Sequence, residues 1–255
     1  MNVKTLHNEL SKRWPKNLSA AWDNDGIMVS GDMNTEVKRV LVALDATHEV
    51  IRYACDNGFD TVITHHPMIF KGAKQVTPAT LTGRRIVASL MNGVSVLSFH
   101  TRLDAAEGGV NDALCRMLGF EPCESFGDDE MPTLGRIAEI PEMTARDLAE
   151  LVKEKLGCKA VRVNGDLSQT VTRVAFCGGD GKDFVYPALA SGCQAYLTGD
   201  AGYNMSEDSA EDGLVTIEAG HYHSEAPVCR VIADAVRELT GIEAEFYDSC
   251  GYQMI

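Results

Sequence analysis

Three short apolar runs in this chain end in histidine and carboxylate side chains. Thr61-Val62-Ile63-Thr64 leads into His65-His66-Pro67, Val94 to Phe99 leads into His100-Thr101-Arg102-Leu103-Asp104, and Leu214 to Glu218 leads into Gly220-His221-Tyr222-His223-Ser224-Glu225. Short apolar runs rich in β-branched residues and bounded by glycine are strands. In an open α/β sheet the carboxyl ends of the strands form the binding crevice. A fold for this chain therefore has to place three polar strand ends where they do chemistry. Mixed His, Asp and Glu donors suit divalent transition metals, and about five of them make room for two ions.

The rest of the pattern supplies the helices between such strands. Val3, Leu6, Leu10 and Trp14 recur at helical spacing until Pro15. Val37 to Asp45 reads as a buried strand, and Thr47 caps a helix that Gly58 closes. Leu81 to Met91 and Gly109 to Leu118 read as helices. Strands alternating with helices imply βαβ units and a largely parallel sheet. The stretch Glu121 to Pro132, with Pro122, Gly127 and the run Asp128-Asp129-Glu130, reads as a linker. It divides the chain into a first α/β lobe, 1–125, carrying His65, His66 and Asp104, and a second, 126–255, carrying His221 and Glu225. The C-terminal segment is a candidate to complete the first lobe. The second lobe continues with a strand at Leu134 to Ile140, a helix at Ala145 to Leu156 capped by Thr144, and strands at Lys159 to Val163, Val171 to Cys177 and Ala195 to Thr198. Glu207-Asp208 with Glu211-Asp212 reads as a solvated loop. Ser224 is expected to open the last strong helix, and Glu243 to Tyr247 to close a sheet.

Composition narrows the function. A formal net charge of −14 repels phosphate backbones at long range, so nucleic acid is not the expected partner. The eight cysteines form no C-x-x-C pair, which removes zinc ribbons and thioredoxin-type redox sites and fits reduced thiols in the cytoplasm. The N-terminal residues show no apolar signal-peptide core, and no stretch has the length of a membrane span, so no membrane partner is expected.

Each candidate ligand has a plainer role as well. Neighbouring residues of a straight strand face opposite ways, so His65 and His66 share a site only if the chain bends there, and otherwise they serve two ions. Asp104 also suits a turn or helix cap. Glu225, four residues after His221, also suits the first turn of a helix, where its charge meets the macrodipole. The convergence of three motifs favours metal ligation for all four positions and for His221. His223 is left outside the set. Cys177-Gly178-Gly179-Asp180-Gly181 is expected to be a plain strand-to-helix turn. Thr198-Gly199-Asp200 ends another strand, where Asp200 suits the role of a partner to a ligating histidine.

These motifs together resemble the Nif-three-like family, whose bacterial members carry the name GTP cyclohydrolase I type 2 homologue. The matching stretches are Trp22-Asp23-Asn24 with Gly26, Thr64-His65-His66-Pro67, His100-Thr101 with Leu103 to Asn111, Thr198-Gly199-Asp200, and Gly220-His221-Tyr222 with Ser224-Glu225. The resemblance implies an α/β fold of two similar lobes with mixed, largely parallel sheets, assembled as a toroidal homohexamer. It also implies a dinuclear centre on His65, His66, Asp104, His221 and Glu225. Family members often have Asn where this chain has Arg102, and a His where it has Asn204; both positions are candidates to line the pocket. The activity implied is that of a dinuclear metal-dependent hydrolase, GTP cyclohydrolase-like and acting on a nucleotide or related small molecule; His100, close to the ligand motifs in the sequence, is the candidate for proton transfer. The two divalent ions are Zn, Mn, Fe, Co or Ni. The alternative is a non-catalytic metal-binding ring protein serving as sensor, store or scaffold.

Overall fold

Asn2 starts the first helix by accepting the backbone N–H of Thr5 on its side-chain oxygen, and α1 (Val3–Arg13) buries Val3, Leu6 and Leu10. The computed structural model describes residues 1–251. After α1 come β1 (Gly26–Val29), β2 (Arg39–Ala43), α2 (His48–Asp56), β3 (Thr61–Thr64), α3 (Leu81–Met91), β4 (Ser95–Ser98) and α4 (Thr101–Ala105). Then follow α5 (Val110–Met117), β5 (Glu124–Phe126), β6 (Gly135–Thr144), α6 (Ala145–Leu156), β7 (Arg162–Asn164), β8 (Thr170–Asp180), α7 (Val185–Ala190), β9 (Ala195–Asp200), α8 (Tyr203–Glu211), β10 (Val215–Glu218) and α9 (His221–Glu225). The last elements are α10 (Pro227–Thr240) and β11 (Glu243–Phe246).

Two compact units result, Met1–Leu103 with Val228–Cys250, and Asp104–Pro227. The first holds a five-stranded sheet ordered β1-β4-β3-β2-β11. Its strands are parallel except β1, which runs antiparallel to β4 at the edge. All four residues of β3 and of β4 are buried, as expected of central strands covered on both faces. Helices α2 and α3 are started by Thr47 and Thr80, whose side chains accept the backbone N–H of Val50 and Gly83, three residues on. Val50, Ile51 and Ala54 of α2 pack with Leu41, Val62 and Val96 of the sheet. Each fully buried Val, Leu or Ile contributes roughly 1.5–3 kcal/mol.

The second unit holds a six-stranded sheet ordered β5-β6-β8-β9-β10-β7, parallel along β8-β9-β10 and antiparallel elsewhere. Strand alternation divides its core into two layers. Val174, Phe176 and Leu197 pack with Leu148 and Val152 of α6, while Ala175, Cys177 and Tyr196 pack with Val185 and Ala188 of α7. Helix α6 has both ends specified: Thr144 Oγ1 accepts the N–H of Asp147, and Gly157 closes it at φ 69°.

Several expectations change. The segment read as a linker carries β5, which pairs with β6 inside the second unit. The compact units part after Leu103 rather than near residue 125, so Asp104 belongs to the second unit, and α10 with β11 completes the first. The acidic stretch read as a solvated loop is helix α8; its buried side is made by Ser206 and Ser209, too small and polar to leave an apolar period. The last strong helix starts at Pro227, and α9 precedes it as a separate turn. Among the described residues no helix is long and apolar enough to cross a membrane.

Candidate functional site

In the first unit β3 stops at Thr64, and the chain bends there. Thr64 Oγ1 donates to the carbonyl of His66 at 2.7 Å, and His66 N–H donates to Leu44 O at 3.0 Å. The bend brings both imidazoles to one side, with ring centroids 5.0 Å apart. His100, just beyond β4, joins them at 5.2 Å from His65 and 5.7 Å from His66. One nitrogen from each ring lies within 4.8 Å of the others, a spacing that a single cation can span.

The orientation of these rings is fixed from behind. His65 is fully buried, and its Nδ1 lies 3.0 Å from Phe99 O. A carbonyl only accepts, so Nδ1 carries the proton and Nε2 is the donor atom for a metal. His66 Nδ1 meets Asp45 Oδ1 at 2.9 Å, and His100 Nδ1 meets Asp23 Oδ1 at 2.9 Å. Both carboxylates impose the same tautomer.

Asp23 is the firmest of these supports. Its other oxygen accepts Thr101 N–H at 3.0 Å and Thr101 Oγ1–H at 2.6 Å. Burial pushes this carboxyl up, but the hydrogen bonds and charge of His100 and the two bonds from Thr101 outweigh it and hold the group at about 2. A depressed folded-state pKa contributes stability that is complete above the ordinary carboxylate pKa near 4 and is lost as pH falls through about 2. Acid unfolding followed by circular dichroism is therefore expected to be shallower between pH 4 and 2 in Asp23→Asn than in the parent. An unchanged slope would show that Asp23 contributes nothing to that transition.

In the second unit His221 opens α9 directly after Gly220, which sits at φ 83°. Glu225 is one turn on, and His221 Nε2 lies 3.3 Å from Glu225 Oε2. Asp200, at the end of β9, holds His221 Nδ1 at 2.9 Å, as expected from the sequence. With the proton on Nδ1, an imidazole lone pair and a carboxylate face each other, and a cation coordinated by both removes their repulsion. Ser224 is not the cap expected of it. Its Oγ donates to His221 O and accepts the N–H of Gly179, which ties α9 to β8.

The glycine-rich segment also differs from expectation. Gly178 and Gly179 lie within β8, and a Cβ on Gly179, already at φ 69°, would overlap Glu225 Oε1. These glycines let the strand approach the acid closely. Asp104 sits in α4, its backbone carbonyl accepting from Asn111 Nδ2 at 3.3 Å. Burial first, then the charges of Asp104, Glu225 and Asp180, push the Cys177 thiol up, so the Asp104 and Glu225 carboxylates share one buried neighbour. A cavity of about 580 Å³ opens beside His221, lined also by Lys159, Arg162, Asp200 and His223. His223, left outside the ligand set, is thus part of this cavity wall.

The family profile of Duf34/NIF3 (NGG1p interacting factor 3) matches residues 1–250. The chain belongs to the DUF34/NIF3 family. Similar NIF3-family sequences include the "GTP cyclohydrolase 1 type 2 homolog" of Clostridium perfringens, 35% identical over 96% of this chain and 95% of that one. The protein of the same name from Clostridium acetobutylicum is 34% identical over 89% and 86%. Among solved structures, Staphylococcus aureus protein SA1388 superposes with a TM-score of 0.90 at 25% identity, covering 100% of this chain and 99% of its own. A Bacillus cereus protein related to NIF3 superposes at 0.88 with 22% identity, over 100% and 99%, and shows the same fold.

Two positions where this NIF3 chain departs from common family residues now have locations. Arg102 is 1% exposed and forms a two-bonded ion pair with Asp25. Asn204 is exposed near the start of α8. The supports Asp23 and Asp45 were not singled out from the sequence. Asp23 lies inside the quoted Trp22-Asp23-Asn24 motif, which was the available signal.

Proposed function

We propose that this NIF3-family protein is a metal-dependent hydrolase whose two divalent ions are held by His65, His66, Asp104, His221 and Glu225. The observation that carries the reading is that His65, His66 and His221 each have Nδ1 held by a carbonyl or carboxylate, so that all three offer Nε2 to a metal. Imidazole with carboxylate suits Zn, Mn, Fe, Co or Ni. When bound, such ions supply Lewis acidity, activating a water and polarising a substrate oxygen.

The chain's own residues supply the remainder. Asp23 fixes the His100 imidazole with Nδ1 protonated, so Nε2 is the atom that takes a proton from the attacking water and returns it to the leaving group. Asp45 and Asp200 orient His66 and His221. The names of the relatives support a nucleotide such as GTP as substrate, and a homohexameric ring, implied by the family resemblance, belongs to the same proposal.

The test is the metal content of protein purified without added metal, followed by hydrolysis of GTP and other nucleotides by the parent and by Glu225→Ala. Parent protein carrying about two ions per chain, with activity that disappears in Glu225→Ala, supports the hydrolase. A metal-loaded parent that hydrolyses nothing would favour a metal-binding scaffold instead.

A further inference from the structure

Trp22 and Phe70 are large aromatic residues with more than half, or half, of their surface in solvent, 57% and 50% exposed. Exposed aromatics usually sit on loosely held loops, but these two do not. On one side of Trp22 the Asp23 carboxylate is buried and bonded to His100 and Thr101. On the next residue, Asn24 Nδ2 donates to Ile69 O, which joins the Trp22 segment to the Phe70 segment. Met68, two residues before Phe70, is buried at 5% exposure. Both rings are thus presented by anchored backbone.

They are also placed on the proton-transfer group. The Trp22 ring meets Phe70 at 6.0 Å and 73°, and meets His100 at 6.2 Å and 71°. Phe70 meets His100 at 6.1 Å and 90°. The three rings stand steeply inclined to one another, edge to face, and with half or more of their surface in solvent Trp22 and Phe70 offer aromatic area beside the imidazole. Rigid aromatic faces are low-entropy stacking platforms for planar ligands, and stacking tolerates any flat ring.

We propose that Trp22 and Phe70 form the recognition wall for a planar nitrogen heterocycle of the substrate, which stacks against them and presents its edge to His100. This rests on the hydrolase reading above and adds the part of the substrate that the metal ligands do not select. The chain holds two tryptophans, and Trp14 is fully buried, so Trp22 is the solvent-facing reporter.

The experiment titrates the metal-loaded, full-length protein with guanosine, GTP and ribose 5-phosphate, reading tryptophan fluorescence and equilibrium dialysis, with metal content measured on the same samples. Guanosine and GTP are expected to quench Trp22, and ribose 5-phosphate is not. Trp22→Ala and Phe70→Ala are each expected to weaken GTP binding by roughly 5- to 150-fold, with metal content unchanged, and Trp22→Phe is expected to restore most of the affinity. Equal response to ribose 5-phosphate, unchanged affinity in both alanine variants, or no binding of either guanine compound overturns the proposal. So does a change in oligomer size in Trp22→Ala, which would make the two rings a contact between copies of this chain. A parent protein that holds metal but binds neither guanine compound sinks only this inference, whereas a parent protein that holds no metal sinks the hydrolase reading.

Discussion

Replacing His100 with Gln is expected to lower turnover by about 10²- to 10⁴-fold while the protein keeps its full complement of metal. Glutamine preserves a hydrogen bond to Asp23 but cannot accept and release a proton near neutral pH. The pH–rate profile should lose the limb that reports the imidazole, and no buffer change should recover it. Asp23→Asn is expected to act in the same direction through His100. With an amide behind it the ring is no longer held in the tautomer that leaves Nε2 basic. The measurement that decides is metal analysis of His100→Gln beside its kinetics. The ring nitrogens of His65, His66 and His100 are close enough to share an ion. A variant that loses metal together with activity would therefore make His100 a ligand and remove it from proton transfer.

The second large effect falls on stability. Arg102 is 1% exposed and its side-chain partner Asp25 is fully buried. Arg102 Nε and Nη2 reach the two Asp25 oxygens at 2.6 and 2.9 Å, Nη1 donates to Trp14 O at 3.2 Å, and the guanidinium lies 5.1 Å from the Phe99 ring centroid. Removing one partner of a buried pair costs about 3–5 kcal/mol, and because Lys16 also pairs with Asp25 the loss here should fall toward the lower end of that range. Arg102→Ala should therefore lower the urea midpoint substantially with little change in slope. The double variant Arg102→Leu with Asp25→Leu should recover much of the loss, because it removes both charges. Asp25 also stands near His100 N–H, at 3.4 Å, so Arg102→Ala should reduce activity even where the protein remains folded. A loss below 1 kcal/mol would mean that Lys16 and water answer the Asp25 charge without Arg102.

What the sequence disclosed, and what it hid, follows from range. β3 at Thr61–Thr64, α3 at Leu81–Met91 and α6 at Ala145–Leu156 have the bounds expected of them, because period, cap and breaker lie within each segment. The histidine motifs were readable as candidates for a related reason: His65, His100 and His221 each stand within three residues of a strand end. Partners supplied from elsewhere were not. Asp23 reaches His100 across 77 positions and Asp45 reaches His66 across 21, and neither carries a local pattern. Asp200 was readable because it ends a strand itself. The bend at Thr64 depends on a hydroxyl bonding two residues ahead, which alternation arguments do not see. Helix α8 escaped because serine, not leucine, forms its buried side. Arg102 was a candidate pocket residue because family members often have Asn there, whereas its charge is answered by Asp25.

The edge of the first sheet is finished by β11, which pairs in parallel with β2 from Arg39↔Glu243 to Val42↔Phe246. A ribosome emits β2 long before β11, at about 5–20 residues per second. For that interval the growing chain carries a strand that is apolar from Val40 to Ala43, with one side of its ladder open, the kind of template on which nascent chains stick to each other. Synthesis that stalls before residue 228 should therefore yield insoluble product, and chaperone demand should peak late in translation rather than early.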